Sequence, residues 1–118
     1  MAALILPKSA RLSRRDEFAT VREKGRAWHG KLMVLGGWIS PAAQPARVGV
    51  ITSRRVGGAV ERNRVRRRLR EIFRLHRPAL PAGLWMVIVP RRAAAPATTA
   101  ALREEWRALA ARAGYLKS

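Results

Sequence analysis

Apolar residues recur along the chain at two spacings, about every 3.6 residues in some stretches and every second residue in others. The first spacing predicts helices and the second predicts strands. The helices are expected at residues 13–24, 59–76 and 97–113. The strands are expected at residues 31–39, 47–53 and 84–89, with a further short strand around residues 26–28. The resulting order, α-β-β-β-α-β-α over residues 1–118, indicates a single-domain α+β sandwich in which helices pack on a sheet.

The first and last helices carry residues that favour helix ends. Ser13 precedes Asp16 and Glu17, which the helix dipole favours in a first turn, and Gly25 follows the last turn. In the final helix the cap is expected at residue 98 or 99, both threonines. The buried stripe of that helix is predicted to be Leu102, Trp106, Leu109 and Ala113.

The long helix at residues 59–76 is amphipathic. Its apolar stripe consists of Val65, Leu69, Ile72 and Phe73. Its opposite arc carries Asn63, Arg64, Arg67, Arg68 and Arg74, with Arg66 and Arg70 on the flank. The glycine pair at residues 57–58 leaves backbone N–H groups near the helix N-terminus, which predicts a further anion-binding site there.

Residues 84–89, by contrast, are apolar throughout, which favours a central strand covered on both faces.

Basic residues outnumber acidic residues by 25 to 7, which gives a formal net charge of +18. Such self-repulsion indicates an anionic partner, either nucleic acid or an anionic membrane surface. Of the 25 cations 21 are Arg, which pairs with phosphate through two hydrogen bonds and stacks on bases, although a GC-rich genome also raises the share of Arg. A membrane-surface helix needs a wide apolar face, whereas the stripe of residues 59–76 is narrow. Nucleic acid is therefore the favoured partner, and no membrane partner is expected.

Cysteine content and the opening residues restrict the environment of the protein. No cysteine is present, which excludes disulfides and thiolate metal sites. Residues 1–7 form a short apolar run with no basic residue before it, so neither a signal peptide nor a membrane span is expected there. A cytoplasmic location follows by default.

Residues 53–74 contain the most specific motif of the chain. The segment reads SRRVGGAVERNRVRRRLREIFR, with nine arginines and two glutamates. A merely solvated face would carry both signs of charge, whereas this excess of one sign indicates a surface that binds a polyanion. The segment resembles the signature of the bacterial ribonuclease P protein family: a basic pair, a Gly, an Ala-Val, then Arg-Asn-Arg and a further basic pair.

The resemblance covers most of the chain, including residues 11–12, 18, 25–26 and 47–49. It implies a left-handed β-α-β crossover, which generic topology rules do not predict. It also implies that the protein binds ribonuclease P RNA and precursor tRNA and helps that RNA to remove the 5′ leader. By matching positions, the RNA contacts are expected at Arg54, Arg55, Arg62, Asn63, Arg64, Arg66, Arg67, Arg68 and Arg70. Arg62 projects close to the apolar stripe, so bracing of the sheet edge is an alternative role for it.

The same resemblance implies a cleft between the first helix and the sheet that holds the single-stranded leader. Phe18 matches an aromatic residue expected in this cleft, but Arg22 stands where a second Phe is common. Gly36 stands where a strand aromatic is expected, and Trp38 lies on the same strand face and is a candidate substitute. Tyr115 is another candidate member of the cleft. Ordinary core packing is the alternative for Phe18 and Trp38.

The sequence offers no side chains arranged for a protein nuclease, which needs clustered carboxylates or a histidine pair. Glu17 and Glu23 are not spaced to share one helix face, and His29 and His76 lie in unrelated segments. No catalytic residue is therefore expected in the protein, and Mg²⁺ is expected to be bound by the RNA and the substrate. A ribosomal or chromatin-type protein would share the positive charge, but nothing in such a role requires this motif.

Overall fold

The computed structural model describes residues 6–117. Residues 1–5 and residue 118 lie outside the described residues, so the expectation about the opening run stays an expectation. The helices are α1 (Arg15–Lys24), α2 (Ala59–His76) and α3 (Thr99–Arg112). The strands are β1 (Arg26–His29), β2 (Met33–Ile39), β3 (Arg47–Val50) and β4 (Leu84–Pro90). The predicted order α-β-β-β-α-β-α, including the short strand before residue 31, is confirmed.

The four strands form one sheet in the order β1-β2-β4-β3. Strand β2 pairs antiparallel with β1 and β4, whereas β3 and β4 are parallel and are connected through α2. The apolar run in β4 therefore forms a central strand, as predicted. The left-handed sense of the β3-α2-β4 crossover stays a prediction from the resemblance.

The main core lies between one face of the sheet and the helices α2 and α3. Helix α2 buries the four residues of its predicted stripe, Val65, Leu69, Ile72 and Phe73. Helix α3 buries Leu102, Trp106, Leu109 and Ala110. The last position of this stripe is thus Ala110 and not Ala113, because the helix ends at Arg112. The sheet contributes Met33, Leu35, Val48, Leu84, Met86 and Ile88.

Helix α1 and Leu12, which precedes it, pack on the opposite face of the sheet. Leu12, Val21 and Val87 form a small cluster there, against which Phe18 packs. Val89 is 37% exposed, so the prediction that β4 is covered on both faces is wrong at this end of the strand. The uncovered part of the sheet is the floor of the candidate cleft described below.

Among the element ends that differ from their predictions, two are explained by hydrogen bonds of side chains. Strand β3 ends at Val50 and does not extend to residue 53. Beyond it the Thr52 hydroxyl accepts a hydrogen bond from Arg66, and the Ser53 hydroxyl accepts one from the N–H of Arg55. These contacts turn the chain away from the sheet and towards α2. Helix α1 begins at Arg15, because its capping acceptor is the carboxylate of Glu17 and not the side chain of Ser13.

Glu17 holds α1 against the sheet. Its carboxylate accepts hydrogen bonds from the N–H groups of Ser13 and Arg14, at 2.9 and 3.0 Å, and forms an ion pair with Arg47 of β3 at 2.8 Å. Burial alone would raise the pKa of Glu17, but the bonds from Arg14, Ser13 and Arg47 together lower it below the ordinary value of 4.5. A carboxyl whose pKa is lowered in the folded state stabilises the fold above its unfolded pKa, and that stabilisation is lost as the pH falls through the folded pKa.

The change Glu17→Gln is expected to lower the free energy of unfolding by about 2–3 kcal/mol near pH 7, since it removes one partner of a largely buried ion pair. The difference between wild type and variant should shrink as the pH falls below 4.5, where Glu17 of the unfolded chain is already protonated. Urea denaturation over this pH range measures both effects. Glu23→Gln, an exposed change on the same helix, is the control and should have almost no effect. A difference that grows on acidification would contradict the assignment.

Candidate RNA-binding surfaces

Helix α2 and the turn before it present a dense arginine surface. Arg54 and Arg55 of the turn are exposed, as are Asn63, Arg64 and Arg67 of the helix. The remaining predicted contacts are half-buried, namely Arg62, Arg66, Arg68 and Arg70. The structure therefore brings all nine predicted residues onto one helix and its preceding turn, and it exposes those on the outer arc most. The assignment of these residues to RNA contacts stays a prediction.

Two of these arginines are held by bonds within the protein. The Arg66 guanidinium donates to Asn63 Oδ1 at 2.9 Å and to the Thr52 hydroxyl. Arg68 donates to the carbonyl oxygen of Ala97 at 3.1 Å, and this bond links α2 to the segment before α3. Arg66 and Arg68 therefore each tie α2 to another segment, whereas Arg62, for which bracing of the sheet edge was the alternative role, makes no hydrogen bond within residues 6–117.

Most of the other arginines between residues 54 and 74 make no bond to the described part of the protein. Of these seven guanidinium groups, six make no hydrogen bond and no ion pair within residues 6–117, and they belong to Arg54, Arg55, Arg62, Arg64, Arg67 and Arg70. Arg74 pairs with Glu71, and its hydrogen bond lowers the pKa of that carboxyl. A surface with this many unpaired guanidinium groups can bind several phosphates at once.

The N-terminus of α2 is not the open anion site that its glycine pair predicts. The N–H of Gly58 donates to Glu61 Oε1 at 2.9 Å, so a carboxylate of the helix itself occupies this position. Glu61 therefore acts as a cap, and its negative charge disfavours a phosphate there. The anion-binding capacity of this helix lies in its side chains.

A cleft of about 410 Å³ lies between α1 and the uncovered face of the sheet. Its α1 wall is formed by Phe18, Val21 and Arg22, and its floor is aliphatic. The floor and the far rim consist of Gly25, Arg26, Ala27, Val34, Gly36, Ile51, Val87 and Val89. Phe18 can lie this close to the sheet because Gly49 has no side chain, and a methyl group at that position would overlap the Phe18 ring. Phe18 thus packs on the sheet and also lines the cleft, and its role in holding the leader stays a prediction.

The cleft continues into a basic groove. Val34 and Val89 line both, and the groove adds Ser53, Arg55, Pro90, Arg91 and Arg92. The cleft and the groove together therefore lead from the aromatic ring of Phe18 to the turn before α2. Sequence reasoning placed Arg22 in the cleft only as the residue that replaces a Phe, and it missed three further arginines of this path, which are Arg26, Arg91 and Arg92. The basic pair directly after the apolar run of β4 was the available signal for two of them.

Trp38 lies on the α1 side of the sheet, as the strand alternation predicts, but it does not line the cleft. Its ring packs edge-on against Trp85 with a centroid distance of 5.2 Å, and Lys24 Nζ lies 5.7 Å from its centroid. The prediction that Trp38 takes the place of the missing strand aromatic in the cleft is therefore wrong. Trp38 is a packing residue beside the cleft.

Tyr115 lies on the opposite face of the sheet. Its ring is 5.6 Å from that of Trp28, and a side chain at Gly37 would overlap its hydroxyl. Gly36 and Gly37 are neighbours in β2, so they face opposite sides of the sheet. Gly36 is part of the cleft floor, and the sheet therefore separates Tyr115 from the cleft. Burial raises the pKa of Tyr115, in keeping with a role in the edge of the main core. Its assignment to the cleft is wrong.

Comparison with known proteins decides the family. The model of the family described as Ribonuclease P matches residues 6–114. The chain belongs to the ribonuclease P protein family. It is 42% identical over 100 residues to the ribonuclease P protein component of Desulfovibrio desulfuricans, which covers 82% of this chain and 75% of that protein. It is 37% identical over 112 residues to the component of Symbiobacterium thermophilum, over 95% of this chain and 97% of that one.

Solved structures of ribonuclease P proteins share the fold. The protein of Staphylococcus aureus superimposes with a TM-score of 0.86 at 23% identity, over 93% of this chain and all of that one. The protein of Thermotoga maritima gives a TM-score of 0.77 at 26% identity, over 86% and 96%. As a ribonuclease P protein, the chain is the protein subunit of a ribonucleoprotein endoribonuclease that processes the 5′ end of tRNA, and its partner is RNA.

Two observations bear on other kinds of site. Among the described residues no helix has the length and apolar character needed to cross a lipid bilayer. Within the same residues no group of three or more His, Cys, Asp or Glu side chains is placed to hold a metal ion.

Proposed function

We propose that the cleft between α1 and the sheet binds the single-stranded 5′ leader of precursor tRNA, and that the arginine face of α2 binds the catalytic RNA. The continuity of the cleft with the basic groove carries this proposal. Single-stranded RNA can place a base against Phe18 and can place its phosphates along the arginines of the groove. The RNA then reaches the turn before α2, where the leader and the catalytic RNA would meet.

Arg22 and Arg26 supply charge at the other end of the cleft. A guanidinium group is planar and stacks on bases, so Arg22 can contribute to base binding where relatives are expected to use a second Phe. The aliphatic floor provides no donors or acceptors from side chains that would read one base against another. The cleft is therefore proposed to bind the leader with little sequence preference.

The magnesium ions of the reaction are proposed to be held by the RNA and the substrate. Five of the seven carboxylates bind groups of their own chain, those of Asp16, Glu17, Glu61, Glu71 and Glu105. The arginine surface lowers the demand for metal ions by neutralising phosphates directly. We propose the cytoplasm as the place where this occurs.

The change Phe18→Leu tests the cleft. Leucine keeps an apolar contact with the sheet near Gly49 but removes the flat aromatic ring on which a base can stack. The ribonucleoprotein carrying this variant is expected to bind precursor tRNA with several leader nucleotides about 5- to 150-fold more weakly, because base–aromatic stacking is worth about 1–3 kcal/mol. Its affinity for mature tRNA should not change. Equilibrium binding of the two tRNAs measures the ratio.

Trp38→Leu is the matched control, since it removes an aromatic ring from the same sheet face outside the cleft. It should leave the ratio of the two affinities unchanged even where it lowers stability. Equal weakening of both tRNAs by Phe18→Leu would assign Phe18 to packing alone and would remove the leader from this cleft.

A further inference from the structure

The turn between β1 and β2, residues 30–32, is bound by a carboxylate from the last helix. Glu105 of α3 accepts hydrogen bonds from the backbone N–H groups of residues 31, 32 and 33, at 2.9, 2.7 and 3.0 Å. It forms no ion pair within the described chain. Gly30 allows this close approach, because a methyl group at that position would lie 2.6 Å from the carboxyl carbon of Glu105. The negative charge of Glu105 therefore acts on the backbone of this turn.

The carbonyl groups of the same turn hold an arginine. Arg91, the first residue after β4, donates from Nε to the carbonyl oxygen of Gly30 at 2.9 Å. Its backbone N–H donates to the carbonyl oxygen of Leu32 at 2.8 Å, and its Nη2 lies 3.4 Å from His29 Nδ1. Arg91 is exposed and lines the basic groove beside Arg92. An exposed arginine of the groove is thus held through its side chain and through its backbone.

Two peptide groups connect Glu105 to Arg91. In the peptide group between residues 30 and 31, the N–H donates to Glu105 and the carbonyl oxygen accepts from Arg91 Nε. In the peptide group between residues 32 and 33, the N–H donates to Glu105 and the carbonyl oxygen accepts from the backbone N–H of Arg91. Hydrogen bonds in such a chain polarise one another, so a carboxylate at the N–H end makes the oxygen a stronger acceptor. Glu105 therefore strengthens both bonds that hold Arg91.

We infer that Glu105 is a positioning residue for the leader, although it lines neither the cleft nor the groove. An arginine side chain loses rotamer freedom when it binds a phosphate, and one that is already held loses less. The Nη1 of Arg91 makes no bond within residues 6–117 and is available to a phosphate oxygen. The inference rests on the proposed function, because it needs the leader in the groove.

Binding of precursor tRNA and of mature tRNA by the reconstituted ribonucleoprotein tests this role. Glu105→Gln replaces the carboxylate by a neutral amide with a single acceptor oxygen. It should weaken the binding of precursor tRNA with several leader nucleotides by about 2- to 12-fold, the equivalent of ordering one side chain. The binding of mature tRNA should not weaken. The change also adds one positive unit to the net charge, which by itself strengthens RNA binding. The sign of the effect therefore separates positioning from charge.

Two further variants isolate the contact. Glu104→Gln is the matched control, because Glu104 is exposed and makes no bond within the described chain. It changes the net charge equally and should weaken the binding of neither tRNA. Gly30→Ala keeps Glu105 but pushes its carboxylate away from the turn, since the added methyl group would overlap the end of that flexible side chain. It should weaken the binding of precursor tRNA within the same range as Glu105→Gln.

The double variant of Glu105→Gln and Arg91→Gln measures the coupling between the two residues. If Glu105 acts through Arg91, its change adds no further loss of precursor binding once Arg91→Gln is present. A merely structural role would lower Tm, would weaken the binding of both tRNAs, and would add its effect to that of Arg91→Gln. Additive losses, or a Glu105→Gln variant with an unchanged ratio of the two affinities beside an Arg91→Gln variant that lowers it, would overturn the inference and leave the proposed function intact.

A measurement without RNA separates the two failures. In NMR spectra of the free protein, the Nε–H signal of Arg91 is identified by its loss in Arg91→Gln. The bond to Gly30 slows exchange of this hydrogen with water, so exchange should become faster in Glu105→Gln and in Gly30→Ala but not in Glu104→Gln. Unchanged exchange in the first two variants would overturn the inference. If instead Arg91→Gln bound both tRNAs as the wild type does, the leader would not lie in the groove, and the inference would fall together with the proposed function.

Discussion

The affinity of the protein for its RNA partner is expected to fall by about a thousandfold or more when the salt concentration rises from about 50 to 200 mM. Each phosphate contact releases condensed counterions, and the slope of log affinity against log salt grows with the number of contacts. Six guanidinium groups between residues 54 and 70 have no partner in the described protein, which sets the expected number of contacts at about six. Filter binding or fluorescence titration over this salt range measures the slope.

A pair of double variants locates these contacts on the molecule. Arg64→Gln with Arg67→Gln removes two exposed charges of α2 and should lower the slope by about 1.4–1.8. Arg103→Gln with Arg107→Gln removes two exposed charges of α3 and changes the net charge equally. If long-range attraction by the net charge dominated binding, both pairs would have the same effect. A wild-type affinity that hardly changes with salt would show that phosphate contacts are not the main source of binding.

The elements that could be predicted from sequence are those whose pattern repeats over several turns. Helix α2 has four buried residues at helical spacing over 18 residues, so its bounds and its inner face are as predicted. The end of β3 could not be predicted in this way, because Thr52 and Ser53 have ordinary strand neighbours. The Thr52 hydroxyl accepts a hydrogen bond from Arg66 of α2, which is a tertiary contact, and the Ser53 hydroxyl accepts one from the N–H of Arg55 within the turn.

The cleft was harder to predict than the arginine surface, because its members come from separate elements. Strand alternation predicted the correct face for Trp38. Trp38 lies two residues after Gly36, however, which is roughly 7 Å further along the strand and outside the cleft. Tyr115 follows Gly114, whose φ of +83° lets the chain turn back after α3 and so determines the face that Tyr115 reaches. The family signature supplied Phe18, whereas the basic pair Arg91–Arg92 has no motif that links it to the cleft, and it is the structure that places the end of β4 beside the turn before α2.

The protein without its RNA is not expected to cleave precursor tRNA at any magnesium concentration. Hydrolysis of a phosphodiester by side chains needs carboxylates that converge on metal ions or a positioned acid–base pair. Most carboxylates here bind groups of their own chain. Glu105, for example, accepts hydrogen bonds from three successive backbone N–H groups at residues 31–33. Glu23 and Glu104 make no such bond within the described chain, and they lie on different helices.

Addition of the catalytic RNA should produce cleavage at the 5′ leader junction and leave a 5′ phosphate on the mature tRNA. The rate gained from the protein should be largest at low magnesium, because guanidinium groups and metal ions neutralise the same phosphates. Single-turnover cleavage over a magnesium titration, with and without protein, measures this gain. Glu23→Gln and Glu104→Gln, tested together as controls, should leave the reconstituted activity unchanged. Cleavage by RNA-free, nuclease-free protein that these two changes abolish would instead place the chemistry on the protein, and the arginine surface would then serve substrate binding alone.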